Sequence, residues 1–425
     1  MTESSTPTTE AQPADATAAL PADLQDERLI ASQGFGGFLR AFLSRLRSGD
    51  LGSLPVVVGL VVIWAVFQSQ NSAFLSSRNL VNLTQQSAAT GTIALGIVLV
   101  LLLGEIDLSV GSISGLSAAI LAVGFVSHGW ALPLAILAAL AAGAAIGALY
   151  GLLYTRFGVP SFVITLAGLL GFLGLQLKVL GQEGSINIPF DSGLVKFAQA
   201  SFIRSPAYVL VVLVVAVYVA ARLRANQRRT AAGLSTTPLT TLALRAVTLL
   251  ILLAVPVYVL NRDRGVSYMF LLFVALVVVF DFVIRRTRWG RSVLAIGGNV
   301  EAARRAGINV RRIYVTVFVF TSTLAALGGL LAAGRLAAAN QSSGGGDVNL
   351  NAIAAAVIGG TSLFGGRGTA YSALLGILVI QSISNGLSLV NLGSPERYMI
   401  TGGVLLLAVI VDSLSRRSRA AHGRA

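Results

Sequence analysis

Glu105 and Asp107 stand at the end of an apolar run, in the segment Gly104-Glu-Ile-Asp-Leu-Ser-Val-Gly111. No other carboxylates in the chain are paired in such a place. Two roles fit them. They can form a cytoplasmic turn or gate, with Gly111 at its end, or carry a coupling ion; or they can cap the next helix at its positive end. The flanking glycines suit a water-facing turn, which favours the capping role. Three amides, Gln176, Gln381 and Asn385, fall inside long apolar stretches. Amides bind neutral polar ligands by hydrogen bonds, so these are candidate residues of a translocation path. Buried amides also hold helices together in lipid. Asp281 lies four and five residues before Arg285 and Arg286, the spacing of a local ion pair on a helix surface.

The run Arg285–Arg312, RRTRWGRSVLAIGGNVEAARRAGINVRR, carries eight arginines between two long apolar segments. It contains a compact helix signal. Asn299 is a candidate N-cap, Glu301 falls in the first turn, Ala302 and Ala303 follow, Arg304 and Arg305 occupy the last turn, and Gly307 sits at the stop. A helix of about two turns is marginal in water, so it persists only if packed against something. A small Ala-rich helix in a cytoplasmic loop suits docking of a soluble partner. A solvated connector, with its arginines as topology anchors, accounts for the same residues.

Several chemistries are excluded. The chain has no Cys, and its two imidazoles, His128 and His422, have no partner at metal-ligand spacing. A phosphate-cradling loop ends Gly-Lys-Ser/Thr, but Lys178 follows Leu and Lys196 follows Val, and these are the only lysines. If ATP drives this protein, another subunit hydrolyses it; no cofactor is expected on this chain.

The elements that position these groups are membrane helices. Of 425 residues, 55% are hydrophobic and 11% charged, with mean hydropathy +0.80. That composition is a polytopic all-α membrane protein. The formal net charge is +14, nearly all from Arg at the ends of apolar runs, which fits positive-inside anchoring rather than nucleic-acid binding. Residues 1–31 read as a disordered cytoplasmic tail without the features of a secretory signal. Residues 32–50 are a basic juxtamembrane segment, 51–415 a transmembrane domain with the basic loop at 285–312, and 416–425 a basic cytoplasmic tail.

Apolar candidates lie at 52–67, 88–103, 109–127, 131–154, 161–180, 206–222, 242–260, 268–284, 313–333, 350–363, 370–390 and 398–414. Twelve crossings place Arg40, the 222–229 arginines, the 285–312 cluster, Arg416 and both termini inside. Segment 350–363 is weakest, at ~21 Å of helix against ~30 Å of hydrocarbon. It spans only with its flanks, or it re-enters; an even number is retained, with ten the alternative to twelve. Spans 109–127 and 370–390 are rich in Gly, Ser and Ala and so suit close helix packing. Each follows a Gly-rich turn, a short hint of internal duplication.

Four pieces resemble the permease subunits of bacterial ABC sugar importers of the ribose/xylose group: GEIDLSVGS (104–112), VPSFVITLAG (159–168), AIGGNVEAARRAGINV and AAVIGGTSLFGGRGT (355–369). Glu301-Ala302-Ala303 with Gly307 is similar to the EAA–Gly motif of such permeases, though its downstream Leu-Pro part is absent. The resemblance covers most of 74–412. It implies a coupling helix at Asn299–Gly307, two permease chains, a separate ABC-type ATPase subunit, an extracytoplasmic sugar-binding protein and alternating access in the cell inner membrane. Glu105, together with the longer 222–264 region, resembles the xylose branch, which implies D-xylose as cargo. The rivals are a self-sufficient ion-coupled sugar carrier, which needs a titratable in-membrane carboxylate, and a membrane enzyme, for which the loop at 181–205 offers only Glu183 and Asp191.

Overall fold

The computed structural model describes residues 54–202 and 205–393, with 395, 396, 398–403, 406 and 410. The expected N-terminal tail, the segment 32–50, most of the span at 398–414, His422 and the basic C-terminal tail lie outside the described residues. Contacts divide the described chain into two units, Val211–Leu253 and the remainder.

The smaller unit holds most of two long helices, α7 (Ser205–Ala231) and α8 (Leu239–Leu260). The turn joining them is closed by Asn226, whose Nδ2 donates to Thr237 O at 2.8 Å and whose Oδ1 accepts from Thr237 N at 3.2 Å. Val212, Leu213, Val247 and Ile251 stay exposed. Apolar side chains around an exposed helix suit lipid contact.

The larger unit begins with α1 (Leu54–Gln70), α2 (Ser77–Leu102) and α3 (Val110–Ala122), which continues as one π turn to Ser127. Then come α4 (Leu132–Phe157), α5 (Ser161–Leu180) and the short α6 (Gly193–Gln199). After the smaller unit follow α9 (Tyr268–Arg286), α10 (Arg288–Gly298), α11 (Val300–Arg305), α12 (Val310–Leu336), α13 (Val348–Ile358) and α14 (Tyr371–Leu389). Strands β1 (Ser185–Asn187) and β4 (Ala338–Asn340) pair antiparallel, as do β2 (Ser201–Phe202) and β3 (Val266–Ser267). Because β4 follows α12 directly and α11 precedes it, the first strand pair and the basic loop sit at opposite ends of α12.

Helix α12 is the hub, packing against α2, α3 and α4. Small residues let the backbones meet. A Cβ on Gly147 of α4 would lie 2.3 Å from Phe318 O, and one on Gly151 2.5 Å from Val315 Cα. A Cβ on Gly328 would lie 2.8 Å from Ala89 O of α2. Thr321 donates to Gly96 O across the α2 contact at 3.0 Å.

Nine helices among the described residues are long and apolar enough to cross a membrane; α1, with 17 residues, and α13 are shorter. Eleven residues of α13 rise only ~16 Å, so the segment expected at 350–363 does not span as a helix by itself. It stops at Ile358, before Gly360 with φ +100°. The second span starts at Ser77 rather than 88. Its extra turns carry Asn79, Thr84, Gln85 and Ser87, all buried in protein, so a polar stretch is helical without facing lipid.

Overpacking a core contact costs about 1–3 kcal/mol. Gly147→Leu should therefore lower the thermal midpoint of the detergent-solubilised protein. Gly171→Ala on α5, where a Cβ meets nothing within 4 Å, should leave it unchanged or raise it slightly. An unchanged midpoint in Gly147→Leu would contradict the α4–α12 contact.

Candidate functional site

The basic loop folds as two short helices. Thr287 caps α10 by accepting from Gly290 N at 3.1 Å, and Trp289 Nε1 donates to Thr316 Oγ1 of α12 at 2.8 Å. Val293 and Ile296 of α10 are buried. Asn299 caps α11, its Oδ1 accepting from Ala302 N at 2.9 Å. The helix ends in a Schellman arrangement: Ile308 N donates to Ala303 O at 3.1 Å and Gly307 N to Arg304 O at 3.0 Å, with Gly307 at φ +79°. Ala303, 4% exposed, anchors the helix to the core. Glu301, Ala302, Arg304 and Arg305 point outward, with Glu301 and Arg304 paired at 2.6 Å. The helix is thus packed on one side and open on the other. Asp281 and Arg285 form the local pair expected, at 2.9 Å.

The C-terminal glycines of α10 reach the turn after α2. A Cβ on Gly297 would lie 1.8 Å from Leu102 O and 2.5 Å from Gly366 N. One on Gly365 would lie 2.7 Å from Gly297 O and 2.9 Å from Gly104 N. Gly366 N donates to Leu102 O at 2.9 Å. Three glycine-bearing turns, at 104, 297–298 and 365–366, therefore touch backbone to backbone. The two turns whose sequences hinted at duplication are in direct contact here.

The carboxylates that follow Gly104 do not behave as expected. Neither caps α3, and the turn is not simply water-facing. Glu105 accepts from Tyr154 Oη of α4 at 2.6 Å and from Ser161 Oγ, at the start of α5, at 2.5 Å. Tyr154 stacks on Tyr314 of α12, ring centroids 4.6 Å apart. Asp107 is 0% exposed; its Oδ1 accepts from Ser109 N and Oγ, at 2.8 and 2.7 Å. Burial pushes its carboxyl up to about 6, opposed by those two bonds. Tyr150 Oη donates to Ser109 Oγ at 2.8 Å. An open cleft of about 550 Å³ lies beside Glu105, walled by Tyr154, Gly158, Pro160, Ser161 and Phe162. Gly111 is wedged against the loop before α13: its Cβ would lie 2.5 Å from Gly344 O.

Of the three amides, two bind protein. Gln176, 0% exposed, donates to Asn340 O at 3.0 Å and Ser343 O at 2.9 Å. Asn385 accepts from Asn79 Nδ2 at 2.7 Å, joining α14 to α2. Gln381 is half-buried on α14.

A second cavity, of about 220 Å³, is walled by α2, α3, α12 and the loop 340–348. Its polar lining is Thr90, Ser114, Asn340, Ser342, Ser343 and Gly344. None of these was singled out from the sequence. The available signal was the run Asn340-Gln-Ser-Ser-Gly-Gly-Gly-Asp347 ahead of an apolar segment too short to span, since interrupted helices mark transport sites.

Residues 79–410 match the family described as "Branched-chain amino acid transport system / permease component". The xylose transport system permease protein XylH of Escherichia coli strain K12 is 36% identical over 90% of this chain and 95% of that protein. The ribose import permease protein RbsC of Bacillus subtilis strain 168 is 32% identical over 86% and 94%. The L-arabinose ABC transporter permease protein AraH of Azospirillum brasilense is 29% identical over 86% and 89%. No solved structure matches the chain. With most of its length covered, its helices long and apolar, and the paired short helices of its basic loop in place, the chain belongs to this family of multi-pass membrane permease components.

Proposed function

We propose that this chain is the membrane-spanning subunit of an ATP-driven importer of a neutral monosaccharide, with D-xylose first and ribose or another monosaccharide next. The capped, outward-facing helix α11 carries this reading. It is a rigid, small, basic surface for a soluble partner, and its neighbour α10 presses on the turns that lead into α3 and α14. The similarity to XylH over nearly the whole chain supports the choice of sugar. A separate ABC-type ATPase subunit hydrolyses the ATP; no cofactor resides on this chain. A second copy of the permease and an extracytoplasmic sugar-binding protein complete the assembly.

ATP binding closes the ATPase pair, the movement enters at Asn299–Gly307, and Gly297 passes it to the Gly104 and Gly365 turns. Glu105 then acts as the cytoplasmic latch, holding the turn to α4 and α5 through Tyr154 and Ser161; Asp107 and Gly111 fix the turn's inner end. Sugar passes by alternating access. The arginine distribution supports placing 285–312 and both termini in the cytoplasm.

Radiolabelled xylose uptake, compared in cells with and without this gene, should fall on deletion and be competed best by excess xylose. If deletion instead removes uptake of another sugar, the cargo is wrong and the importer stands. Gly307→Arg forces a side chain into a left-handed backbone that costs about 1–2 kcal/mol, and places bulk on the docking surface. It should lose both ATPase co-purification and uptake. Glu105→Ala should retain co-purification but lose most uptake; normal uptake would remove the latch. In this Cys-free chain, Ala306→Cys should react with an impermeant thiol reagent in inverted vesicles. Labelling from outside intact cells would reverse the orientation.

A further inference from the structure

We propose that the cavity between α2, α3, α12 and the loop 340–348 is a binding station for one neutral monosaccharide on its way through the chain. The proposal rests on the sugar-importer reading and names where the sugar is held.

Volume sets the class of ligand. At about 220 Å³ the cavity far exceeds the ~10–15 Å³ that holds one water, and is below the ~300 Å³ at which drug-sized pockets begin. The lining chemistry narrows it further. Thr90, Ser114, Ser342 and Ser343 bring hydroxyls, Asn340 an amide, and Ile93 an apolar flank. None of the lining residues is charged. A zwitterionic amino acid would bury an ammonium and a carboxylate there without ionic partners, which is costly. A polyhydroxylated neutral ring finds donors, acceptors and an apolar face.

The wall is built to leave donors free. Asn340 Oδ1 is occupied, accepting from Ser342 N at 3.0 Å, Ser342 Oγ at 3.1 Å and Ser343 Oγ at 3.3 Å. Its Nδ2 has no hydrogen-bond partner among the described residues, and neither has Thr90 Oγ1. Both residues line the cavity from different elements, the loop and α2. From behind, buried Gln176 pins the same loop by donating to Asn340 O and Ser343 O. Gln176 is thus a positioning residue for the cavity wall. Where α3 and α13 begin, Asn349 Nδ2 donates to Leu108 O at 2.6 Å. The cavity therefore sits where two interrupted helices meet, and the turn that carries Glu105 ends at the same place. Discontinuous helices of this kind form substrate sites in transporters because their ends offer unpaired polar groups without charge.

The test uses the full chain in lipid nanodiscs, with Thr90→Cys for the cavity and Ser127→Cys, an exposed residue outside it, as control. Millimolar D-xylose should slow alkylation of Thr90→Cys by a small maleimide about threefold or more and leave Ser127→Cys unaffected. L-leucine should slow neither. In cells, Thr90→Leu should crowd the cavity and cut xylose uptake about tenfold while the chain still co-purifies with its ATPase. Thr90→Val, which keeps the volume and removes one hydrogen bond, should raise the KM for uptake about three- to tenfold. Wild-type uptake of xylose with no protection of Thr90→Cys and normal uptake by Thr90→Leu would overturn the station and leave the importer intact. Protection by leucine alone would assign the cavity to an amino acid. If wild-type cells take up no sugar through this chain and no sugar protects, the functional reading fails, and the station fails with it.

Discussion

Close approach of backbones at glycine is the constraint on which this structure depends. In lipid, apolar side chains gain little by leaving one apolar environment for another, so helices hold together through dispersion at short range and through shared polar groups. Helix α12 satisfies that requirement on three sides. Gly147 and Gly151 bring α4 onto it, Gly328 brings α2 alongside, and Gly329 meets the backbone of α3 at Ser114. The same device is used at the basic loop, where Gly297 touches Leu102 and Gly366. A contact without side chains transmits displacement with little slack, since there are no rotamers to absorb it. That property suits a glycine junction to passing movement between the basic loop and the membrane helices.

The interruptions of helix are the second organising feature. Backbone that leaves a helix must find other partners. After α2, Leu102 O is satisfied by Gly366 N, Leu108 O by Asn349 and Ile106 O by Thr165, the last at 3.4 Å. Polar side chains that look like path residues in the sequence are largely committed to this work. Gln176 and Asn385 hold protein to protein, whereas Thr90 Oγ1 and Asn340 Nδ2 belong to residues that line a cavity.

Much of the architecture was legible in the sequence. Asn299 and Gly307 announced α11 because capping chemistry is local, and the arginine clusters marked helix ends because charge avoids hydrocarbon. Asp281 with Arg285 followed from helical spacing alone. What could not be read was tertiary. The start of α2 was placed at 88 because Asn79, Gln85 and Ser87 look like loop residues until a protein environment is known to enclose them. The capping role given to Glu105 failed for a related reason: its partners, Tyr154 and Ser161, lie on α4 and α5. Nothing in the spacing of Thr90, Ser114 and Asn340 brings them together before the fold does.

The near-complete enclosure of α2 bears on how the protein is made. This helix carries buried amides and hydroxyls around its circumference, and its principal neighbours, α9, α12, α13 and α14, all lie later in the chain. During synthesis α2 therefore leaves the ribosome long before Asn385 of α14, which accepts from Asn79, exists. Partitioned alone into the bilayer, it would present Asn79, Gln85 and Ser87 to lipid, which is costly for a polar group without a partner. Its integration is thus coupled to segments completed near the end of translation, and the insertion machinery or an early helix neighbour must shelter it until then. A chain truncated before α12 would lack both that neighbour of α2 and Asn385, the partner of Asn79.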